Sequence, residues 1–178
     1  MRRFLLILLV GLVLLSAQAS ASSLITYRGI DVSQDSTYVD MGTTKIADMK
    51  KFHQFLAQYP NLEKVDMYAT RISLATMEEL MAAFPHIQFG CTFRFVRGTI
   101  ATNTEGYSTF NRLADPQYPS SKFEALKYCP DIKALDLGHH NIKDLEFLIP
   151  LSKLRILILA VCDIENIEVL STFEELEY

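Results

Sequence analysis

IKALDLGHHNIKDLEFLIPLSK, residues 132–153, runs without a gap into LRILILAVCDIENIEVLSTFEE, residues 154–175. Laid over each other at an offset of 22, the two stretches match apolar to apolar: Ile132 with Leu154, Leu135 with Leu157, Leu137 with Leu159, Ile142 with Ile164, Leu145 with Ile167, Leu148 with Leu170 and Leu151 with Phe173. Leu176 stands where a further unit would open. Chance does not keep so many apolar positions in step, so this part of the chain is a repeat and its register sets the reading of the rest.

Inside each unit the pattern is L-x-x-L-x-L-x-x-N-x-L, the leucine-rich-repeat signature: apolar alternation over the first half makes a short strand, and the remainder returns the chain to the next strand. Weaker copies open at Leu62, LEKVDMYATRI, with Val65, Met67 and Ile72 in the apolar slots, and at Ser36, STYVDMGTTKI, with Val39, Met41 and Ile46. Those two starts lie 26 residues apart, so their return segments are longer and suit true helices. Ile46, Met49, Phe52, Leu56 and Tyr59 fall at helical spacing, and Pro60 stops the run. Thr76 with Glu79 forms a capping box ahead of the stripe Met77, Leu80, Met81 and Phe84, and Ser121 with Glu124 repeats the device. In the 22-residue units Asp144 and Asn166 are the expected caps of about two turns of helix or 3₁₀.

From Ile87 to Val96, IQFGCTFRFV alternates strictly and reads as a strand. Residues 97–120, rich in Gly, Ser, Thr, Asn and Pro, read as an inserted loop or hairpin. The expected fold is therefore α/β: a leucine-rich-repeat solenoid with a parallel sheet on its concave face, helices and 3₁₀ turns on its convex face, and this insertion. Its parts are a leader over 1–21, a lead-in over 22–35, irregular repeats over 36–96, the insertion over 97–120 and regular 22-residue repeats over 121–178.

The leader rests on the opening MRRFLLILLVGLVLLSAQASASS, which orders two arginines, an apolar run from Phe4 to Leu15, and small residues at Ala17, Ala19 and Ala21. That is a secretory signal peptide, too short to span a bilayer, which needs about 20 apolar residues. Export to the cell surface or medium follows, with no transmembrane segment in the mature chain. The chain carries 17 basic and 21 acidic residues, and losing Arg2 and Arg3 makes it more acidic still, which argues against nucleic acid as a partner. Three cysteines, Cys91, Cys129 and Cys162, are too few and too irregularly spaced for a disulfide framework and read as mostly buried thiols.

The runs NLEKVDM, FPHIQF and LKYCPDIKALDLGHHNIKDLEFLIPLSKLRILILA, in that order, resemble the secreted leucine-rich-repeat proteins of bacteria, and the two 22-residue units resemble internalin-type repeats. The resemblance covers about Ser36 to Tyr178. It implies a curved scaffold for binding or adhesion, with no chemistry of its own. The last residues, Leu176, Glu177 and Tyr178, open another unit, and an uncapped end exposes apolar core. A C-terminally truncated fragment is expected on that ground.

Adjacent His139 and His140 raise the question of chemistry. In the repeat register the slot usually held by asparagine, which serves the backbone of neighbouring turns, holds Thr44, Thr70, His140 and Cys162. These four are expected to form a structural ladder, with Asn141 facing outward and His139 near the rim. His140 and Cys162 fall in consecutive units at about the 5 Å strand spacing, a pair that could serve as nucleophile or metal ligands. Two inward ligands make no zinc site, and no catalytic, nucleotide or metal motif occurs. No catalytic residue, metal or cofactor is expected. Side chains at positions three, five and seven alternate with the buried leucines and project from the concave sheet: Lys64, Asp66 and Tyr68, then Asp136, then Ile156 and Ile158. With His139 these are the expected binding residues for a protein or other macromolecule. The competing readings are a spacer arm presenting a domain outside this sequence, or an enzyme whose catalytic part lies there.

Overall fold

The computed structural model describes residues 23–112 and 114–177; the leader expected over residues 1–21 lies outside the described residues. The described chain is a mixed α/β structure of parallel and antiparallel strands with two short helices and several 3₁₀ turns. Its frame is two sets of parallel strands. In the first, β3 (Tyr38–Asp40), β4 (Lys64–Ile72) and β5 (Gln88–Phe95) place Val39 opposite Val65 and Val65 opposite Phe89, steps of 26 and 24 residues. In the second, β7 (Gly106–Ser108), β8 (Ala134–Asp136) and β9 (Ile156–Ile158) place Tyr107 opposite Leu135 and Leu135 opposite Leu157, steps of 28 and 22. Strand alternation then divides each rung. Val65, Met67, Leu135 and Leu137 turn into one continuous apolar core, while Lys64, Asp66, Ala134 and Asp136 stand on the open face.

Ahead of the first rung, β1 (Leu24–Tyr27) and β2 (Ile30–Ser33) form an antiparallel hairpin. Its two turn residues, Arg28 and Gly29, both have positive φ, 51° and 84°, the requirement of a tight turn that matches strand twist. The hairpin lays Tyr27 against Phe52 and Phe55, ring centroids 5.6 and 4.8 Å away, so the lead-in covers one end of the core.

The return segments follow local capping rules, though not always at the expected residues. Helix α1 (Met49–Leu56) starts at Asp48, whose carboxylate accepts the Lys51 amide at 3.0 Å, and buries Phe52, Phe55 and Leu56. Helix α2 (Leu74–Ala83) starts ahead of the Thr76/Glu79 box, because Ser73 is the cap: its hydroxyl accepts the Thr76 amide at 3.0 Å. The stripe also narrows, with Met77 and Leu80 buried and Met81 exposed. Ser121 and Glu124 do not form a second box. The chain there makes 3₁₀ turns over Ser120–Lys122 and Glu124–Tyr128 without side-chain caps, and the Ser120 hydroxyl instead accepts amides of the next unit, Lys143 at 3.1 Å and Asp144 at 3.4 Å. Asp144 likewise caps nothing: the 3₁₀ turn Glu146–Leu148 has no side-chain cap, whereas Asn166 does accept the Glu168 amide at 2.7 Å.

Residues 97–120, read as an insertion, do two jobs. Strand β6 (Gly98–Ala101) folds back antiparallel on β5, pairing Phe93 with Ile100, and the chain then supplies rung β7. At the 28-residue offset the leucine slots of that rung hold Thr104, Tyr107 and Thr109, which is why leucine periodicity passes over it.

Stacking at a fixed step also brings exposed charges together. Lys153 meets Asp131 at 2.6 Å, Lys143 meets Glu165 at 2.7 Å, and Arg155 bonds Glu177, each pair 22 residues apart. Such exposed pairs align rungs and add little stability. The core carries the stability. Leu137 is 0% exposed and Ile158, one rung on but outward, is 38% exposed. Leu137→Ala should cost about 2–5 kcal/mol, and Ile158→Ala about 1 kcal/mol or less, read as shifts in urea unfolding midpoints.

Candidate functional site

The outward residues of the rungs form two unlike fields. At the first set of strands the field is polar. Asp66 Oδ2 accepts the Tyr38 hydroxyl at 2.9 Å and lies 3.2 Å from Lys64 Nζ, which sits 5.5 Å above the Tyr38 ring centroid. Donating to Asp66 pushes the Tyr38 phenol up to about 12. Asp66 Oδ1 is buried and has no hydrogen-bond partner among the described residues. Tyr68 is half-buried, and desolvation raises its pKa. It lies over Gly90 with the Asp66 carboxylate, and a side chain at position 90 would have to displace both. Beside them, where β5 and β7 are not partners, a cavity of about 220 Å³ opens between Gln88, Gly90, Asn103, Tyr128 and Asp131.

At the second set of strands the field is apolar. Gly106 and Ala134 contribute almost no side chain, so they form a floor, and Ile156, Ile158 and Phe110 stand around it at 42%, 38% and 84% exposure. The trough measures about 500 Å³. Asp136 belongs to its floor but is already engaged: one carboxylate oxygen accepts the Ser108 hydroxyl at 2.9 Å and the other the Gly138 amide at 3.0 Å. Asp40 holds the Gly42 amide the same way at 2.7 Å. These aspartates close strand-end turns, a structural task.

Of the residues expected to contact a ligand, only Ile156 and Ile158 are freely exposed. Lys64, Asp66, Tyr68 and Asp136 are half-buried; Lys64 and Asp66 pair with each other, while Asp136 is held by Ser108 and Gly138. His139 does not stand at an open rim. It is half-buried at φ 61°, its amide donates to the Ala160 carbonyl at 2.8 Å, and its Nδ1 is buried. The polar and apolar groups lie on separate sheets. Phe110, Tyr38 and Gly90 were outside the sequence expectation. Tyr38 stood one residue before Val39 in the opening repeat copy, but Phe110 was hidden by the threonine-filled slots of its rung.

Inward backbone groups are served by side chains of several kinds, within β4 past its register shift at Thr70 and beyond the ends of β7, β8 and β9. Thr70 Oγ1 accepts the Ile46 amide at 2.8 Å and lies 3.4 Å from the Thr44 carbonyl; Thr44 itself is half-buried. Asn111 donates to the His139 carbonyl at 2.7 Å. His140, 1% exposed, accepts the Tyr118 amide at Nδ1 over 3.3 Å, while Asn141 is exposed. The Cys162 thiol donates toward the Leu137 carbonyl at 3.4 Å. Burial pushes the Cys91 and Cys129 thiols up to about 12, so both are inert as nucleophiles. All three cysteines are free. Among the described residues no group of three or more His, Cys, Asp or Glu is placed to hold a metal ion, and no helix is long and apolar enough to cross a membrane.

No family model matches the chain, and no curated protein is similar to it. Among solved structures it is similar to an internalin from Listeria monocytogenes, with 16% identity and a TM-score of 0.38, over 78% of this chain and 38% of that one. The chain thus spans well under half of that protein's length.

The corner bonds yield a direct test. Thr70→Val keeps the shape but strands the Ile46 amide, and should cost about 1–3 kcal/mol. Thr70→Ser, which keeps the hydroxyl, should recover most of that loss in the same urea titration.

Proposed function

We propose that the chain is an exported leucine-rich-repeat scaffold of solenoid type, which recognises a protein or other macromolecule on the concave face of its parallel strands. The observation that carries this reading is the apolar trough: two isoleucines and a phenylalanine held exposed on a floor of glycine and alanine. A strand face meant for water alternates polar residues outward, and here the outward positions of β9 are both aliphatic. Exposed apolar surface with a polar rim is what contact surfaces present. The cluster Tyr38, Lys64, Asp66 and Tyr68 supplies an ordered polar field on the outward side of the other set of parallel strands. Asp66 already holds Tyr38 and Lys64, so little of their conformational freedom is lost when a partner seats on them. The reading assigns the chain no reaction. Within it, residues 36–96 and 121–178 are the repeat blocks and 97–120 joins them.

Photo-crosslinking tests it. Benzoylphenylalanine placed at Ile158 should give one discrete macromolecular adduct in culture of the producing cells, and the same group at Glu146 on a return segment should give none. Ile156→Asp in the Ile158 crosslinker chain should lower the yield at least about tenfold, one buried apolar contact's worth, with the fold retained by circular dichroism. Equal adducts from both positions would reject the trough as the recognition surface.

A further inference from the structure

Residues 109–112 and 114–119 connect β7 to the next return segment and carry Phe110, a wall of the trough. Their inner attachment converges on one imidazole. His140 Nδ1 takes the Tyr118 amide at 3.3 Å and stands 3.2 Å from the Asn111 side-chain nitrogen, which also donates to the His139 carbonyl at 2.7 Å. With two N–H groups facing it, Nδ1 must be the acceptor and the ring proton sits on Nε2. That nitrogen is buried without a partner among the described residues, and the ring lies 5.1 Å from the Phe123 and 5.5 Å from the Tyr118 ring centroid. On the outer side Arg97 holds the same segment, bonding Asn111 Oδ1 at 2.7 Å and pairing with Asp115 at 3.5 Å.

We propose that His140 is an acid-sensitive latch: protonating its Nδ1 removes the one acceptor shared by Tyr118 and Asn111, frees the segment that carries Phe110, and dismantles the apolar trough. The neutral ring holds two donors with a single lone pair, whereas the imidazolium would set an N–H against those donors and bury a charge at 1% exposure. The charged groups around it do not compensate. Arg97 and His139 oppose a positive ring, Asp136 alone favours it and is tied to Ser108 and Gly138, and Asp115 is taken up by Arg97. The Cys162 thiol, one rung on, is kept neutral by burial.

Burial first, then the Arg97 charge, lowers the pKa of His140 from its ordinary value. A histidine lowered in the folded state contributes stability that is complete above the unfolded value of about 6.5 and is lost as pH falls below it toward the folded value. The latch is therefore closed at neutral pH and opens on acidification. Its effect on recognition rests on the trough being the binding surface; the release of the segment does not.

Hydrogen exchange on the full chain, corrected for intrinsic rates, tests the release without any ligand. Between pH 7.5 and 5.0 the protection of the Tyr118 amide should fall about tenfold or more, the equivalent of one net hydrogen bond, while the Leu137 amide, bonded to the Ile158 carbonyl at 2.9 Å, should hold. His140→Asn, which keeps an acceptor near Nδ1 but does not titrate, should flatten the response. Should that variant fold poorly, the ring resonances of His140 in the unmodified chain, distinguished from those of His53, His86 and His139 by single substitutions, must titrate below 6.5. Unchanged Tyr118 protection, an equal fall in His140→Asn, or a His140 titration at or above 6.5 would overturn the latch. Crosslinking from position 158 at the two pH values reads recognition separately: adducts absent at both, with Tyr118 released at pH 5.0, would leave the latch standing and remove the binding surface.

Discussion

Among the described residues, the parallel strands other than β5, which folds back as a hairpin, lead into bends that carry backbone amides and carbonyls toward the interior. An unpaired buried amide costs as much as the chain gains from a well-packed methyl or two, so the stacking of rungs depends on a side chain at each corner that can pair with the backbone of its neighbour. Thr70 does this for Ile46, Asn111 for His139, His140 for Tyr118, and Cys162 for Leu137. Because each bond crosses from one unit to the next, it fixes the step between rungs. Leucines packed behind the corners fill the core but do not by themselves set a register, since neighbouring leucines are interchangeable in shape.

The same constraint explains what could be seen in the amino-acid sequence. Where the step is 22 and both strand and return are leucine-filled, positions one period apart are strand partners, as with Leu135 and Leu157, and the pattern is visible by inspection. Where a unit lengthens to 28 and its inward slots hold threonine and tyrosine, the rung forms because the backbone still finds its partners, and no apolar pattern announces it. Hairpin β5–β6 breaks the series for a related reason. After Gly90 the strand runs on to Phe95, and the chain must fold back on itself before Thr102 can meet the Cys91 carbonyl at 2.9 Å. The start of α2 shifted for a local reason: Ser73 and Thr76 can both cap, and the Ser73 hydroxyl takes the Thr76 amide at 3.0 Å.

Outward positions were harder to read, because alternation says which way a side chain leaves the strand and nothing about what it meets there. Asp66 and Asp136 occupy the same outward position of their rungs. Asp136 precedes glycine by two and closes a turn on the Gly138 amide, as Asp40 does on Gly42. Asp66 is followed at that distance by Tyr68, leaves one oxygen unpaired, and takes Tyr38 and Lys64 instead. One residue two places away thus separates a turn-closing carboxylate from one built into a polar cluster. Such differences are set by contacts between units, which no single repeat contains.

Corner residues that are equivalent in packing are not equivalent in chemistry. The Thr70 hydroxyl both donates and accepts and does not titrate in water. The half-buried thiol of Cys162, its pKa raised by desolvation, stays protonated through the neutral range. Only an imidazole changes its donor and acceptor count between pH 5 and 8. It occurs beside the 28-residue step, where its Nδ1 faces both the Tyr118 amide and the Asn111 side-chain nitrogen. A ring large enough to meet both is also the one corner residue that can let go of both at once. The attachment of that unit's connecting segment and its acid sensitivity therefore rest on one nitrogen, which accepts when the ring is neutral and donates when it is protonated.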